Sequence, residues 1–291
     1  MQVPPLAFDA IGTTWRIDLL QDVSPELRER LMRAIFARIA VFDRDYSRFR
    51  DDSLVSEMAR TAGTYVLPDD AEPMMAVYRK LYDLTDGRFT PLIGQVMADA
   101  GYDADYSFKP TPLSRPPRWE DVLSYRHPQL EMKQPALLDF GSAGKGYLID
   151  IVGEIIASHG IESFCVDAGQ DILHRSALGG KRRVGLEHPQ NLSQVIGVVE
   201  LGNESICGSA GNRRVWADYH HIIDPRTLLS PRHLSAVWVV AEKAMIADAL
   251  ATALFLVGPE KLVPHFDFEY LVLNPDLGAH FSRGFKAELF S

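Results

Sequence analysis

Apolar and polar residues alternate between residues 14 and 19, which is the pattern of a strand with one buried face. The pattern then changes to the helical period. Ser24 and Pro25 precede it in the order expected of an N-cap and a first helical residue. Its apolar positions recur every three or four residues, at Leu27, Leu31, Ile35, Ile39 and Phe42. The first predicted elements are therefore a strand and a long helix.

Three shorter helices are predicted before residue 100, at residues 53–58, at residues 73–84 and from Pro91 onward. Residues 103–117 differ from their surroundings, because four prolines, two serines and a tyrosine lie close together there. That composition is typical of a surface loop. Since helices and strands mix in the same way on both sides of it, we interpret the chain as one domain, residues 1–291, that carries this loop.

Short strands dominate the rest of the chain. They are predicted at residues 122–125, at 129–133, in a segment ending at Asp139, and at 164–167, 183–187, 195–201, 205–208, 220–223 and 235–241. Two helices lie among them, at residues 145–159 and 243–257, each followed by a glycine. Strands and helices come in groups without regular alternation. This order predicts an α+β fold, a single compact domain with a largely antiparallel sheet core and flanking helices.

Composition narrows the class of protein. The chain has 291 residues, of which 46% are hydrophobic and 24% charged, as in ordinary globular proteins. Lys and Arg number 30 against 39 Asp and Glu, a net charge of −9 that disfavours nucleic acid or an anionic membrane as the main partner. Cys165 and Cys207 lie in apolar runs, so buried thiols are expected rather than a disulfide. With no signal-like leader and no long apolar run, we expect a cytoplasmic protein.

Two segments carry candidate chemistry. Residues 138–150, LDFGSAGKGYLID, lead from an apolar run through a glycine-rich turn into a helix, an arrangement able to bind phosphate through backbone N–H groups. This is not a Walker A loop, because Gly146 follows Lys145 where Ser or Thr is required. Asp248 and Thr252 are four residues apart, so a helix places both oxygens on one face, where they suit Mg²⁺. Taken alone, each segment is more often structural.

The segment YHHIIDPRT, residues 219–227, contains adjacent histidines on opposite faces of a predicted strand. A histidine there could contact phosphate or carry a proton near neutral pH, since its ordinary pKa is about 6.5. A structural role is again the more common one for a single histidine.

The order of these segments along the chain resembles the FAD:protein FMN transferase family, also called the ApbE flavin transferases. The resemblance covers nearly the whole chain. It rests on AIGTTW at 10–15, DRDYSRFRDDS at 43–53, TDGRFTP at 85–91, LDFGSAGKGYLID at 138–150, VDAGQDI at 166–172, HIIDPRT at 221–227 and ADALATALFLVG at 247–258. No single segment is specific to the family, but seven segments in the family's order are.

The resemblance implies an enzyme that binds FAD, uses Mg²⁺ to polarise its pyrophosphate, and transfers FMN to a threonine hydroxyl of an acceptor protein, releasing AMP. It implies that His221 and Asp248 are catalytic. It also implies metal ligation by the Asp248 carboxylate, the Thr252 hydroxyl and the Ser142 carbonyl. The residues expected to contact FAD are Ile11, Phe49, Arg88, Phe89, Thr90, Asp139, Lys145, His221 and Ile222.

Six positions depart from the family pattern and put the flavin pocket and the acceptor specificity in doubt: Ile11, Thr90, Ser142, Gln170, Ala210 and Leu228. Two other functions therefore stay open. One is a Mg²⁺-dependent FAD pyrophosphatase that gives FMN and AMP. The other is an FAD-binding protein without turnover.

Overall fold

An eight-stranded sheet forms the centre of the computed structural model, which describes residues 4–290; the predicted domain limits at 1 and 291 lie outside the described residues. The strands are β1 (Leu6–Ala10), β2 (Thr13–Leu19), β3 (Gly63–Val66), β4 (Leu123–Arg126), β5 (Gln129–Met132), β6 (Phe164–Ala168), β7 (Asp171–Arg175), β8 (Arg182–His188), β9 (Asn191–Leu201), β10 (Ser205–Ala210), β11 (Val215–Trp216), β12 (Tyr219–His220), β13 (Ala236–Ala241), β14 (Glu269–Leu273), β15 (Ala279–Phe281) and β16 (Ala287–Leu289). The helices are α1 (Pro25–Tyr46), α2 (Leu54–Met58), α3 (Glu72–Leu84), α4 (Gly94–Asp99), α5 (Trp119–Val122), α6 (Gly144–Ser158) and α7 (Ala244–Ala253), with 3-10 turns at Pro91–Ile93 and Pro259–Lys261.

The large sheet has the strand order β1-β2-β6-β7-β10-β13-β14-β15, and all of its neighbouring strands are antiparallel. Three smaller sheets accompany it: β16-β9-β8, β3-β5-β4 and β11-β12. The predicted α+β class with a largely antiparallel core is confirmed.

The large sheet is buried on both faces. In β13, Val237 and Val239 face the main core, which includes α6 and α7, whereas Ala236 and Val240 face a second core shared with the β16-β9-β8 sheet. Because successive side chains of a strand point to opposite faces, such a strand is apolar throughout rather than alternating. The run AVWVVA was therefore recognisable as a strand from its apolar length.

Sequence signals at helix starts were reliable. Ser24 caps α1, its hydroxyl accepting a hydrogen bond from the Leu27 N–H at 3.2 Å, and Ser53 caps α2 in the same way. Such a cap satisfies one of the backbone donors left free at a helix N-terminus. The predicted helices at 73–84 and 145–159 correspond to α3 and α6.

Helices α6 and α7 pack against each other, and a carboxylate of α6 lies at the start of α7. Lys243, at the cap position of α7, makes no side-chain cap. Instead, the Asp150 carboxylate on α6 accepts hydrogen bonds from the N–H groups of Ala244 and Met245, at 2.8 and 2.9 Å. A carboxylate at a helix N-terminus also interacts favourably with the helix dipole. Asp150 thus fixes the start of α7 against α6.

The predicted strand ending at Asp139 is wrong. Residues 135–140 belong to no sheet. The N–H of Ala136 donates to the Met58 carbonyl at 3.1 Å, and that of Asp139 to the Pro91 carbonyl at 2.7 Å. The segment is extended because it bridges the ends of two helices, and a short apolar run does not distinguish that from a strand.

Two predicted elements are too long. The strand predicted at 220–223 ends at His220, because the Leu228 N–H closes a turn on the Asp224 carbonyl at 2.8 Å. Helix α7 ends at Ala253 and continues only as turns, and Arg88 donates to the Leu256 carbonyl at 2.7 Å.

Several elements had no sequence prediction, namely α5, β1, β3, β7, β11 and the C-terminal strands β14, β15 and β16. Residues 103–117 contain no helix or strand. Both cysteines are free and buried, as expected. Within residues 4–290, no helix is both long enough and apolar enough to cross a bilayer.

Candidate functional site

A cavity of about 1200 Å³ lies among the α6–α7 pair, the end of α1, the β1–β2 turn and the β8–β9 hairpin. That volume exceeds the roughly 300–1,000 Å³ of typical small-molecule sites. All twelve residues singled out from the sequence line it: Ile11, Phe49, Arg88, Phe89, Thr90, Asp139, Ser142, Lys145, His221, Ile222, Asp248 and Thr252. Residues 241 positions apart in sequence are therefore gathered around one space.

One part of the cavity lining, which we call the helical wall, is formed by residues 139–146 with Asp248 and Thr252; Ala143 and Gly146 belong to this segment without lining the cavity. Its glycine N–H groups already have acceptors within the protein. Gly141 donates to the Asp139 carboxylate at 2.6 Å, Gly146 donates to Asp248 at 2.9 Å, and Gly144 donates to a main-chain carbonyl. Two of these donors orient carboxylates and the third closes the turn. Phosphate binding by this segment stays a prediction.

Gly146 has a second role. A Cβ at this position would overlap the Ala244 carbonyl and approach the Asp248 Cβ to 2.8 Å. Only glycine allows α6 and α7 to come this close. The sequence signal was correct in marking a special backbone position, but the close neighbour is another helix.

Three oxygens of the helical wall have no partner among the described residues. Asp248 uses Oδ2 for the Gly146 N–H, which leaves Oδ1, and neither the Thr252 hydroxyl nor the Ser142 carbonyl takes part in a hydrogen bond. Asp248 and Thr252 are 6% and 9% exposed. Carboxylate, hydroxyl and carbonyl oxygens form a hard donor set that fits Mg²⁺, which commonly completes its shell with water and phosphate.

The electrostatics of this wall also favour a cation. Burial raises the pKa of the Asp248 carboxyl; Lys145 opposes the rise and Asp171 adds to it. The residues from 4 to 290 contain no cluster of three or more His, Cys, Asp or Glu side chains able to hold a metal. Any cation here would therefore depend on a single carboxylate and on oxygens of its substrate.

Lys145 forms an ion pair with Asp171 on β7, a residue that the sequence did not single out. Asp171 is 1% exposed, and its other oxygen accepts the Gly208 N–H at 3.0 Å. Burial alone would lower the pKa of Lys145, but Asp171 and Asp248 raise it above its usual range. The ammonium charge is thus retained, although Asp171 already neutralises it.

Asp139 is likewise paired. Arg48 donates to its carboxylate at 2.6 Å and to the Tyr102 carbonyl at 2.6 Å, while its guanidinium lies 4.2 Å from the centre of the Phe49 ring. Arg48 therefore connects the end of α1 to the helical wall and to the loop after α4. It lies inside the recognised segment DRDYSRFRDDS, so the motif indicated the region but not the pairing.

The two adjacent histidines have different surroundings. His220 is buried, with Nε2 on the Pro231 carbonyl, whereas His221 lines the cavity. The Nδ1 of His221 lies 3.1 Å from the Arg213 carbonyl, which can only accept, so Nδ1 carries the proton and Nε2 is left as an acceptor. Burial, followed by the charge of Arg214, lowers the pKa of His221 to about 3, so the ring is neutral at neutral pH.

The remaining predicted residues form the inner surface of the cavity. Phe89 and Ile222 are 1% and 4% exposed, and the Thr90 hydroxyl accepts the Leu92 N–H at 3.2 Å. Arg88 contributes to the same surface, and its bond to Leu256 holds the end of α7. Ile11 has a φ of 46°, an unusual conformation for a β-branched residue.

A second part of the lining, which we call the loop wall, comes from the segments 102–108, 192–195 and 212–215. It carries five exposed large apolar side chains: Tyr106, Phe108, Leu192, Val195 and Val215. Tyr106 stacks on Phe49, with ring centroids 5.2 Å apart and an interplanar angle of 2°. The sequence analysis missed this wall; its only signal was the aromatic content of the proline-rich loop.

Comparison with known proteins gives a consistent result. The model of the ApbE family matches residues 11–268. The FAD:protein FMN transferase of Treponema pallidum is 27% identical over 282 residues, covering 86% of this chain and 78% of that protein. The Haemophilus influenzae protein of the same name is 24% identical, covering 95% and 88%.

Solved structures share the fold. The flavin transferase ApbE from Vibrio cholerae superposes with a TM-score of 0.76 at 21% identity, covering 96% of each chain. The ApbE protein from Thermotoga maritima gives 0.78 at 23% identity, covering 97% of each chain. Since the family model spans most of the chain, this protein belongs to the ApbE family.

Proposed function

We propose that this protein transfers FMN from FAD to a threonine hydroxyl of an acceptor protein, releasing AMP, with Mg²⁺ as cofactor. Relatives along nearly the whole chain are named FAD:protein FMN transferases. The observation that carries the proposal is the set of unpartnered oxygens of Asp248, Thr252 and Ser142, facing a cavity large enough for a dinucleotide and a polypeptide segment. A cytoplasmic location stays a prediction from the sequence.

In this proposal the Asp248 carboxylate, the Thr252 hydroxyl and the Ser142 carbonyl hold Mg²⁺. When bound, the ion supplies a Lewis acid that stabilises charge on the phosphoryl oxygens. The Gly146 N–H keeps the Asp248 carboxylate oriented. Asp139 and Lys145 line the same space and contact FAD, each held in place by an oppositely charged neighbour.

The bond changes are those of a phosphoryl transfer. The threonine oxygen attacks the phosphorus of the FMN half, the bridging P–O bond of the diphosphate breaks, and AMP leaves with the bonding electrons. His221 takes the hydroxyl proton on Nε2, the nitrogen that its tautomer leaves unprotonated. Its low pKa leaves that nitrogen unprotonated at neutral pH but makes it a weak base, which suits proton transfer only as the new P–O bond forms.

The test is incubation with FAD, Mg²⁺ and a threonine-bearing acceptor protein, followed by intact-mass measurement of the acceptor and chromatography of the nucleotides. Transfer predicts a mass gain of one FMN on the acceptor together with AMP. Release of AMP and FMN at the same rate without any acceptor would instead identify a pyrophosphatase. Tight FAD binding with no AMP would identify a binding protein.

A further inference from the structure

The positive charges around the cavity are almost all neutralised. Six Lys and Arg side chains line it: Arg48, Arg50, Arg88, Lys145, Arg213 and Arg214. Five have a carboxylate within 4 Å: Asp139 for Arg48, Asp43 for Arg50, Asp224 for Arg88, Asp171 for Lys145 and Glu187 for Arg213. Among residues 4–290, Arg214 has neither an ion-pair partner nor a side-chain hydrogen bond.

Arg214 is held in an unusual backbone conformation. It is exposed, immediately precedes β11, and has a φ of 48°, in the left-handed region. For a residue other than glycine this conformation costs about 1 kcal/mol or more. Such conformations concentrate at functional sites, and the free guanidinium supplies a reason for keeping arginine where glycine is easier to accommodate.

The guanidinium lies within electrostatic range of the proposed reaction centre. Burial is the main cause of the low pKa of His221, and Arg214 lowers it further. Arg214 lines the same cavity as Asp248 and Thr252, and the carbonyl of its neighbour Arg213 lies 3.1 Å from the Nδ1 of His221. The charge of Arg214 is therefore presented to the cavity that contains both the proposed cation site and His221.

A diphosphate carries two negative charges that must be paired when it leaves water. Lys145 is already committed to Asp171, and a single Mg²⁺ also has the Asp248 charge to offset. We infer that Arg214 is the side chain of the loop wall that binds the diphosphate of the dinucleotide. The inference rests on the proposed function and adds to it a residue for substrate binding. A guanidinium suits this role, because its planar donors match phosphate oxygens in pairs.

The experiment measures dissociation constants for FAD and for riboflavin, which lacks phosphate, by flavin fluorescence in EDTA so that no turnover occurs. For Arg214→Gln we expect the Kd for FAD to rise about tenfold, the value of one charge-assisted hydrogen bond. The Kd for riboflavin should change less than about twofold. Since Arg214 is exposed, the variant should unfold at the same urea concentration as the unaltered protein.

Two further variants sharpen the result. Arg213→Gln removes the neighbouring arginine, which is paired with Glu187, and should raise the FAD Kd by much less than Arg214→Gln. Arg214→Lys keeps the charge and should restore part of the affinity. Unchanged FAD affinity in Arg214→Gln overturns the inference, as does an equal loss of FAD and riboflavin. If the Kd for FAD is unchanged and only the KM for the acceptor rises in the transfer assay, Arg214 contacts the acceptor, and the inference is also overturned. Failure of the unaltered protein to bind FAD when Mg²⁺ is present would instead overturn the proposed function.

Discussion

The two walls of the cavity are built differently. In the helical wall, Asp248 and Thr252 are almost fully buried on a regular helix, and Gly146 fits against the backbone of α7. In the loop wall, Tyr106 and Leu192 are about half exposed, at 47% and 58%, and lie on irregular or hairpin segments.

Backbone strain differs in the same way. Tyr106, Phe108 and Arg214 of the loop wall all have φ near 50°. No residue of the helical wall has a positive φ among those described. Under the proposed function, rigid, buried elements would position the reacting groups and loops would contact the substrate and its partner, a common arrangement in enzymes.

The largest expected effect is on catalysis from the helical wall. Asp248→Ala removes the only carboxylate of the proposed cation site, so transfer should fall at least about 10³-fold, equivalent to several kcal/mol in the barrier. AMP release measured against Mg²⁺ concentration checks this. Activity close to that of the unaltered protein would refute the assignment of the cation site.

Gly146→Ala tests the tight contact between α6 and α7. The added methyl group has no room beside the Ala244 carbonyl, so the free energy of unfolding should fall by about 3 kcal/mol. Gly63→Ala is the matched control, because nothing lies within 4 Å of its Cβ position. Urea denaturation should show a change of under about 0.5 kcal/mol there. Equal effects at both positions would show that the helices are not tightly fitted.

Asp150→Ala removes the carboxylate that caps α7 from α6. Two backbone donors lose their acceptor, so we expect about 1–2 kcal/mol of destabilisation. Asp150→Asn keeps one acceptor oxygen and should lose less stability. Chemical denaturation of the two variants gives their free energies of unfolding. An Asn variant as unstable as the Ala variant would show that Asp150 does not cap α7.

The pH dependence of stability tests the environment of His221. The groups that face it are Arg214, Lys145 and His220. Because its folded pKa is lowered to about 3 from about 6.5, the unfolded chain binds the extra proton first, and stability is lost as pH falls below 6.5. Between pH 6.5 and 5 this amounts to at most about 2 kcal/mol. His221→Gln should lose less stability than the unaltered protein over that range, measured by urea denaturation at each pH.

The smallest effect is expected from the loop wall. Tyr106→Ala removes an exposed ring that stacks on Phe49, so stability should change by less than about 0.5 kcal/mol. The KM for whichever substrate contacts the ring, FAD or the acceptor protein, should rise about two- to tenfold with little change in kcat. The reason is that an aromatic contact contributes about 0.5–1.5 kcal/mol. A loss in kcat alone would place Tyr106 with the reacting groups and weaken the comparison of the two walls.

The sequence was most informative where local chemistry decides structure. Ser24 and Ser53 marked helix starts because a hydroxyl cap acts within three residues of its own position. Asp248 and Thr252 were correctly placed on one helical face by their spacing. The order of seven segments predicted the family, which the match over residues 11–268 confirmed.

Other features depended on residues far apart in the chain. The pairing of Lys145 with Asp171, and of Arg48 with Asp139, joins elements whose approach is set only by the sheet order and the helix packing. The sequence likewise did not indicate that the Gly146 N–H is engaged, since its acceptor lies 102 residues away.

The sequence by itself therefore determined twelve of the side chains that line the cavity and placed Asp248 and Thr252 on one helix, but it did not indicate the loop wall. The tertiary structure decided which of their charges and donors are already engaged and which, like the Arg214 guanidinium, are free. Local periodicity and capping act over a few residues, whereas charge pairing follows distance in space, which the chain fixes only when it is folded.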